Sequence, residues 1–150
     1  MIDRTLFRHS IQVRVRNYEI DWQGIVHNAE YLHYFEIGRV AYLEELGIRI
    51  DVTTIQHESR VVVARNEIDY LSPAYFGERL DIHTRVSTLG ETSFTFEGLI
   101  EETTTKRLVA ENVAVHVWLD DRSHRPLTIP GPFRSSVLGF EGGNCRNRTV

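Results

Sequence analysis

Alternation is the first pattern along the chain. In SIQVRVRNYEI, Ile11, Val13 and Val15 alternate with Gln12, Arg14 and Arg16, the period of a half-buried β-strand. A loop from Asp21 to Asn28 follows, and then the period changes. From about Ala29 to Leu46, Tyr31, Phe35, Gly38, Tyr42 and Leu46 recur at steps of three or four, which predicts a helix. Leu32, Val40 and Leu43 widen that stripe, so burial is expected over much of the helix circumference. Gly47 is its predicted C-terminal stop. Gly38, inside the helix, costs about 1 kcal/mol against Ala. Either the helix lies very close to another backbone there, or the loss is simply tolerated.

After a connector the pattern is strand. RVVVARNEIDYLSP is apolar early and alternating later. RLDIHTRVSTL places Leu80, Ile82, Thr84, Val86 and Thr88 on one side, with Asp81, His83, Arg85 and Ser87 on the more polar one. TSFTFEGLIEE follows a turn at Gly90, with Phe94 and Phe96 two apart. RLVAENVAVHVWLD predicts one face from Val109, Val113, Val115 and Val117, interrupted by Glu111. RPLTIPGPF ends the sheet with prolines, and RSSVLGF predicts a short terminal helix. One strand, one long helix and four strands on mostly short connections make an α+β architecture with antiparallel pairing. The outward β-branched residues predict that a second subunit covers part of the sheet.

A chain of 150 residues suits one domain spanning 1–150, with a core at about 8–130 and a C-terminal tail at 131–150. A net charge of −4 argues against a nucleic-acid binder, while leaving room for a small basic pocket for a phosphorylated ligand. The one cysteine, Cys145 in EGGNCRNRTV, cannot make an internal disulfide and fits a reducing compartment. Loss of that tail is expected to be tolerated. No apolar run approaches membrane-spanning length, and MIDRTLFRHS lacks the continuous apolar core of a signal peptide. The expectation is a cytoplasmic enzyme or binding protein with no membrane partner.

The chemistry concentrates in EIDWQGIVHNAEYLHYFE, where Asp21 stands just upstream of a helix start whose backbone N–H groups are unpaired. By itself Asp21 reads as a residue tying its own loop. Asn28 reads as a helix N-cap, and Gly24 as a turn glycine with positive φ. Glu36 is either a second acid or the partner of an arginine such as Arg39. His33, His57, His83 and His116 show no metal-ligand spacing, so no metal is implied. No G-x-S-x-G elbow supports a serine hydrolase.

The loop DWQGIVHNAEYLHYFE, the segment NEIDYLSPAYFGERLDIHTRV, the hairpin LGETSFTFEGLI and RPLTIP resemble the hotdog-fold acyl-CoA thioesterases, nearest the 4-hydroxybenzoyl-CoA thioesterase group. The resemblance runs from about Arg8 to Pro130, and D-x-x-G-[IV]-V before a helix is its specific part. It implies a five-stranded antiparallel sheet wrapped around the long helix. It also implies a homo-oligomer, with dimers paired edge to edge or stacked into tetramers and active sites at the subunit boundary. No cofactor is implied.

By the same resemblance Asp21 is the catalytic carboxylate, as nucleophile or general base, and the Asn28 backbone N–H polarises the thioester carbonyl. Gly24, Ile25, Val26, His27 and Tyr31 would line the substrate, and Thr92 and Ser93 would meet the nucleotide end of coenzyme A. The hairpin departs from the family here, having Gly90-Glu91 where the 4-hydroxybenzoyl enzyme is basic. That leaves Arg122, His124 and Arg125 as another basic cluster or as a solvated turn, and it admits an acyl-carrier-protein thioester as substrate. Trp22, Tyr31, Tyr34 and Phe35 are either acyl-pocket or core aromatics. The six-residue step from Asp21 to His27 raises a hotdog hydratase or dehydratase as a rival, and a non-catalytic acyl-thioester-binding module is another. The hydratase spacing is one residue shorter, so His27 is expected to be structural or pocket-lining.

Overall fold

The structure is a computed structural model and describes residues 1–48 and 59–148, so His57 lies outside the described residues. The elements in chain order are β1 (His9–Arg14), α1 (Glu30–Glu45), β2 (Ser59–Tyr70), β3 (Arg79–Leu89), β4 (Ser93–Glu102), β5 (Leu108–Asp120), α2 (Gly131–Glu141) and β6 (Arg146–Asn147). The five long strands form a sheet in the order β1-β3-β4-β5-β2, antiparallel throughout. Short β6 adds in parallel to the end of β3 through Thr88 and Leu89. Neither helix is long and apolar enough to cross a membrane.

Helix α1 ends as its sequence demands. Gly47 takes φ +77°, its N–H reaches the Glu44 carbonyl at 2.9 Å, and the Ile48 N–H reaches Leu43 at 2.9 Å, a Schellman stop. The helix lies against the inner face of the sheet so closely that only glycine fits at two contacts. A Cβ on Gly38 would stand 2.6 Å from Thr84 Oγ1 and 2.7 Å from Ile82 Cγ2. A Cβ on Gly98 would stand 2.6 Å from Phe35 Cδ1. The close-approach explanation of Gly38 therefore holds.

Two apolar clusters fill the seam. One gathers Tyr31, Tyr34 and Phe35 with Leu80, Ile82 and Ile100. The other gathers Tyr42, Val86, Phe94 and Phe96 with Phe133 and Val137 of α2. The buried helix face is narrower than its composition suggested, because Leu32 and Ile37 are exposed. On β5 the expectation holds for Val109, which is buried in the core, and the faces are reversed beyond it. Ala110, Asn112, Ala114 and His116 are buried on the inner side, while Val113, Val115 and Val117 are only half-buried on the outer one. On β3 a register shift between Val86 and Thr88 sends Leu89 rather than Thr88 into the core.

The polar faces carry a correction too. His83 and Arg85 are buried on the outer side, beneath the N-terminal segment. There Arg85 pairs with Glu97 at 2.6 Å, and Glu101 takes both Arg4 at 2.8 Å and His83 at 2.9 Å. The C-terminal run is packed structure. Glu141 is fully buried, its Oε1 accepting the Tyr42 hydroxyl at 2.7 Å and the Val86 N–H at 3.2 Å. Cys145 is buried, and burial pushes its thiol up to about 11, the opposite of a reactive cysteine.

Candidate active site

The Asp21 loop closes on an antiparallel bridge between Ile20 and Val26. The Asp21 N–H donates to the Ile25 carbonyl at 2.9 Å, and the Gly24 N–H donates to the Asp21 carbonyl at 3.0 Å. Gly24 sits at φ +80°, where a side chain would be strained. Asp21 is half-buried, and its Oδ1 accepts the Gln23 N–H at 2.8 Å, the local tie typical of aspartate in a turn. The loop is braced from both sides: the Val26 N–H reaches the Ala74 carbonyl and the His27 N–H reaches the Glu19 carbonyl, each at 2.9 Å. Burial pushes the Glu19 carboxyl up, but hydrogen bonds from the Arg16 guanidinium at 3.1 Å and the Arg16 N–H at 2.7 Å outweigh it. The carboxyl therefore lies below its ordinary range.

The start of α1 differs from the expectation in one respect. Asn28 is exposed and is not the cap; the N-cap is Ala29, without a side-chain hydrogen bond. The capping is done by the His27 ring, whose Nδ1 accepts the Ala29 N–H at 3.0 Å. The Glu30 N–H donates to the His27 carbonyl at 2.9 Å, and the Tyr70 hydroxyl donates to the Asn28 carbonyl at 3.1 Å. Among the described residues the Asn28 N–H itself meets no acceptor. A free donor at the positive end of a helix thus shares one loop with a carboxylate, a combination suited to acyl transfer.

The family model of the thioesterase-like superfamily matches residues 15–137. The chain belongs to that superfamily. This thioesterase is 30% identical over 132 residues to a chloroplastic acyl-acyl carrier protein thioesterase of Arabidopsis thaliana, covering 88% of this chain and 68% of the relative. It is 27% identical to the long-chain acyl-CoA thioesterase FadM of Escherichia coli, covering 84% and 94%. A Thermus thermophilus thioesterase solved with coenzyme A and zinc superposes with a TM-score of 0.76 at 33% identity, over 91% of this chain and 96% of that one. A Synechocystis 1,4-dihydroxy-2-naphthoyl-CoA thioesterase, at 16% identity and TM-score 0.80 over 85% and 93%, shares the fold. The thioesterase is therefore a hotdog-fold hydrolase of thioester bonds.

Gly24, Ile25, Val26, His27 and Asn28 lie in or beside the Asp21 loop and Tyr31 on the first turn of α1, with Val26 and Tyr31 buried in the core. Thr92 and Ser93 do not join them within one chain. Ser93 pairs with Val117, whereas Tyr70, at the Asn28 end, pairs with Ala110. Seven residues of strand separate those positions, about 23 Å. Trp22 is 92% exposed, neither core nor pocket wall of its own chain, while Tyr34 and Phe35 are core. Arg39 reaches Asn112 at 3.5 Å, and among the described residues it makes no ion pair with Glu36. His124 and its flanking arginines occupy an exposed turn whose N–H groups Asp120 holds.

Asp81, His83 and Glu101 have ligand-type atoms within 4.8 Å of one another, but Lys106 and Arg4 already pair with these carboxylates, on the sheet face away from α1. Concavities of about 420 Å³ beneath Met1–Leu6 and about 530 Å³ between β1 and α1 are lined by neither Asp21 nor Asn28. Sequence reasoning missed Tyr70, the last residue of β2 before Leu71-Ser72-Pro73, which carries no local mark of its contact with Asn28.

Proposed function

We propose that the protein hydrolyses acyl- or aroyl-coenzyme A thioesters to the free acid and coenzyme A, at Asp21 and Asn28. The observation that carries this reading is the Asn28 N–H at the start of α1, which meets no acceptor among the described residues and lies in the same loop as the Asp21 carboxylate. A thioester carbonyl oxygen resting on that N–H gains a fixed hydrogen bond and the helix dipole, both strengthening as negative charge builds on the oxygen. Asp21 either attacks the carbonyl carbon, giving a mixed anhydride that water then cleaves, or takes a proton from a water that attacks. In both routes the carbon–sulfur bond breaks and coenzyme A leaves as a thiolate, a leaving group that needs little acid help. Label found in Asp21 after a single turnover in heavy-oxygen water identifies it as the nucleophile, because it enters only when water opens the anhydride at the Asp21 carboxyl carbon.

The relatives named as acyl-CoA thioesterases support coenzyme A as the carrier. The second reading is a carrier-protein thioester, favoured by the Arabidopsis relatives and by the missing basic residues at Gly90-Glu91. The hydratase reading loses support because Nδ1 of His27 is already taken by the Ala29 N–H. A second copy completes the site in this reading. Strand β2 is a sheet edge with Val61, Val63 and Tyr70 exposed. Antiparallel pairing of two such edges about a two-fold axis would bring the partner's hairpin end toward this chain's Asn28. The test is thiol release from acyl-CoAs by the wild type and by Asp21→Asn, expected to differ by at least about a hundredfold.

A further inference from the structure

Four backbone polar groups surround the Asn28 position: the His27 carbonyl, the Asn28 N–H and carbonyl, and the Ala29 N–H. Three of them are held, by the Glu30 N–H at 2.9 Å, the Tyr70 hydroxyl at 3.1 Å and His27 Nδ1 at 3.0 Å. The peptide joining Asn28 to Ala29 is thereby pinned at both ends, its oxygen by a side chain 42 residues away and its N–H by the neighbouring ring. The fourth group, the Asn28 N–H, is the one the proposed chemistry needs.

We infer that Tyr70 and His27 are positioning residues for the carbonyl donor, a role that rests on the reading of Asn28 given above. Neither touches the reacting atoms through the bonds described here. Tyr70 comes from the last residue of β2, and its ring is set edge-on against buried Tyr31 at 5.3 Å and 79°. Tyr31 in turn belongs to the core beneath α1. The peptide that follows the donor, and shares the Asn28 Cα with it, is thus tied to the sheet. The donor's own peptide is tied to α1 through the His27 carbonyl and the Glu30 N–H. His27 supplies the cap that Ala29 cannot, and it does so only with Nδ1 unprotonated, since that nitrogen must accept.

An oxyanion donor acts by being in place before charge develops, so a peptide free to rock loses part of its effect in the transition state and little in substrate binding. Removing such a donor outright costs about 100- to 1000-fold in kcat. Loosening its mount is expected to cost roughly tenfold.

The experiment compares kcat, KM and thermal midpoint for Tyr70→Phe, His27→Ala and His27→Asn, using the best acyl-CoA substrate of the wild type. Tyr70→Phe keeps the ring on Tyr31 and removes only the hydroxyl. An Asn side chain accepts the N–H two residues on, so His27→Asn restores the bond that His27→Ala deletes. The expected result is a roughly tenfold fall in kcat for Tyr70→Phe and His27→Ala, with KM within about twofold, a midpoint near wild type, and recovery in His27→Asn. Wild-type kcat in both deletions, beside an inactive Asp21→Asn, would overturn the positioning role and leave the thioesterase site standing. A kcat loss that follows the thermal midpoint and is not recovered by His27→Asn would overturn it as well, reducing both residues to fold stability. Equal turnover by wild type and Asp21→Asn would remove the site reading and this inference with it.

Discussion

His116 is a residue whose chemistry burial alters within the ordinary pH range. It stacks on Phe94 at 5.4 Å, meets Phe96 edge-on, and its buried Nδ1 has no hydrogen-bond partner among the described residues. Burial, helped by the Arg39 charge, lowers its pKa from 6.5 to about 4. The folded protein therefore keeps His116 neutral where the unfolded chain would already be protonated. Between pH 6.5 and about 4 the unfolded state binds more protons, so stability is full above 6.5 and is lost as the pH falls. The loss reaches at most about 3 kcal/mol. Thermal melts of wild type and His116→Gln across that window are expected to converge as the pH drops, because the variant lacks this titration; parallel curves would contradict it. That Asp21 and the Asn28 N–H share one loop at the start of α1 was legible at this scale, because that loop is continuous in sequence. Tyr70 was not, since it is defined by a contact across 42 residues.

Between elements, the decisive contact is α1 on β3. Gly38→Ala should gain about 1 kcal/mol of helix propensity. Against that, the new methyl meets Thr84 and Ile82, two β-branched side chains with little freedom to turn away. Overpacking of this kind costs about 1–3 kcal/mol. The net expectation is destabilisation for Ala and a larger one for Val, with the melting temperature falling roughly 2–4 °C per kcal/mol. A Gly38→Ala protein that melts higher than wild type would show that the seam can open. Helix α1 and its stop were legible from period and Gly47, β1 and β3 from their alternation, and β2 from an apolar run that turns to alternation. The faces of β5 were not. Val113, Val115 and Val117 look like a core face, yet the small Ala110 and Ala114 are the residues buried on the inner side. Composition ranks hydrophobicity, whereas the room left by a closely docked helix decides which face turns inward.

At the scale of the whole molecule the sheet ends on two edge strands, and the longer one, β2, pairs only with β5 among the described residues. Strand β2 exposes Val61, Val63 and Tyr70, and its end carries the hydroxyl that holds Asn28. Pairing of that edge between copies predicts a mass in solution at least twice the chain's 17.4 kDa. A monomeric mass, read by light scattering on active protein, would contradict a site shared between subunits. The C-terminal segment, which composition marks as a dispensable tail, instead buries Phe133, Val137, Glu141 and Cys145 against the sheet end. A glycine-rich run gives no local sign of such docking, because the signal lies in Tyr42 and Val86, far back in the chain. The fold was thus largely legible, and the site only where it is local. The most direct measurement is free-thiol release from short, long and aromatic acyl-CoAs by wild type and Asp21→Asn side by side. Turnover on at least one ester that collapses in a folded Asp21→Asn variant is the expected result; turnover unchanged by that substitution would contradict the assignment of the reaction to Asp21.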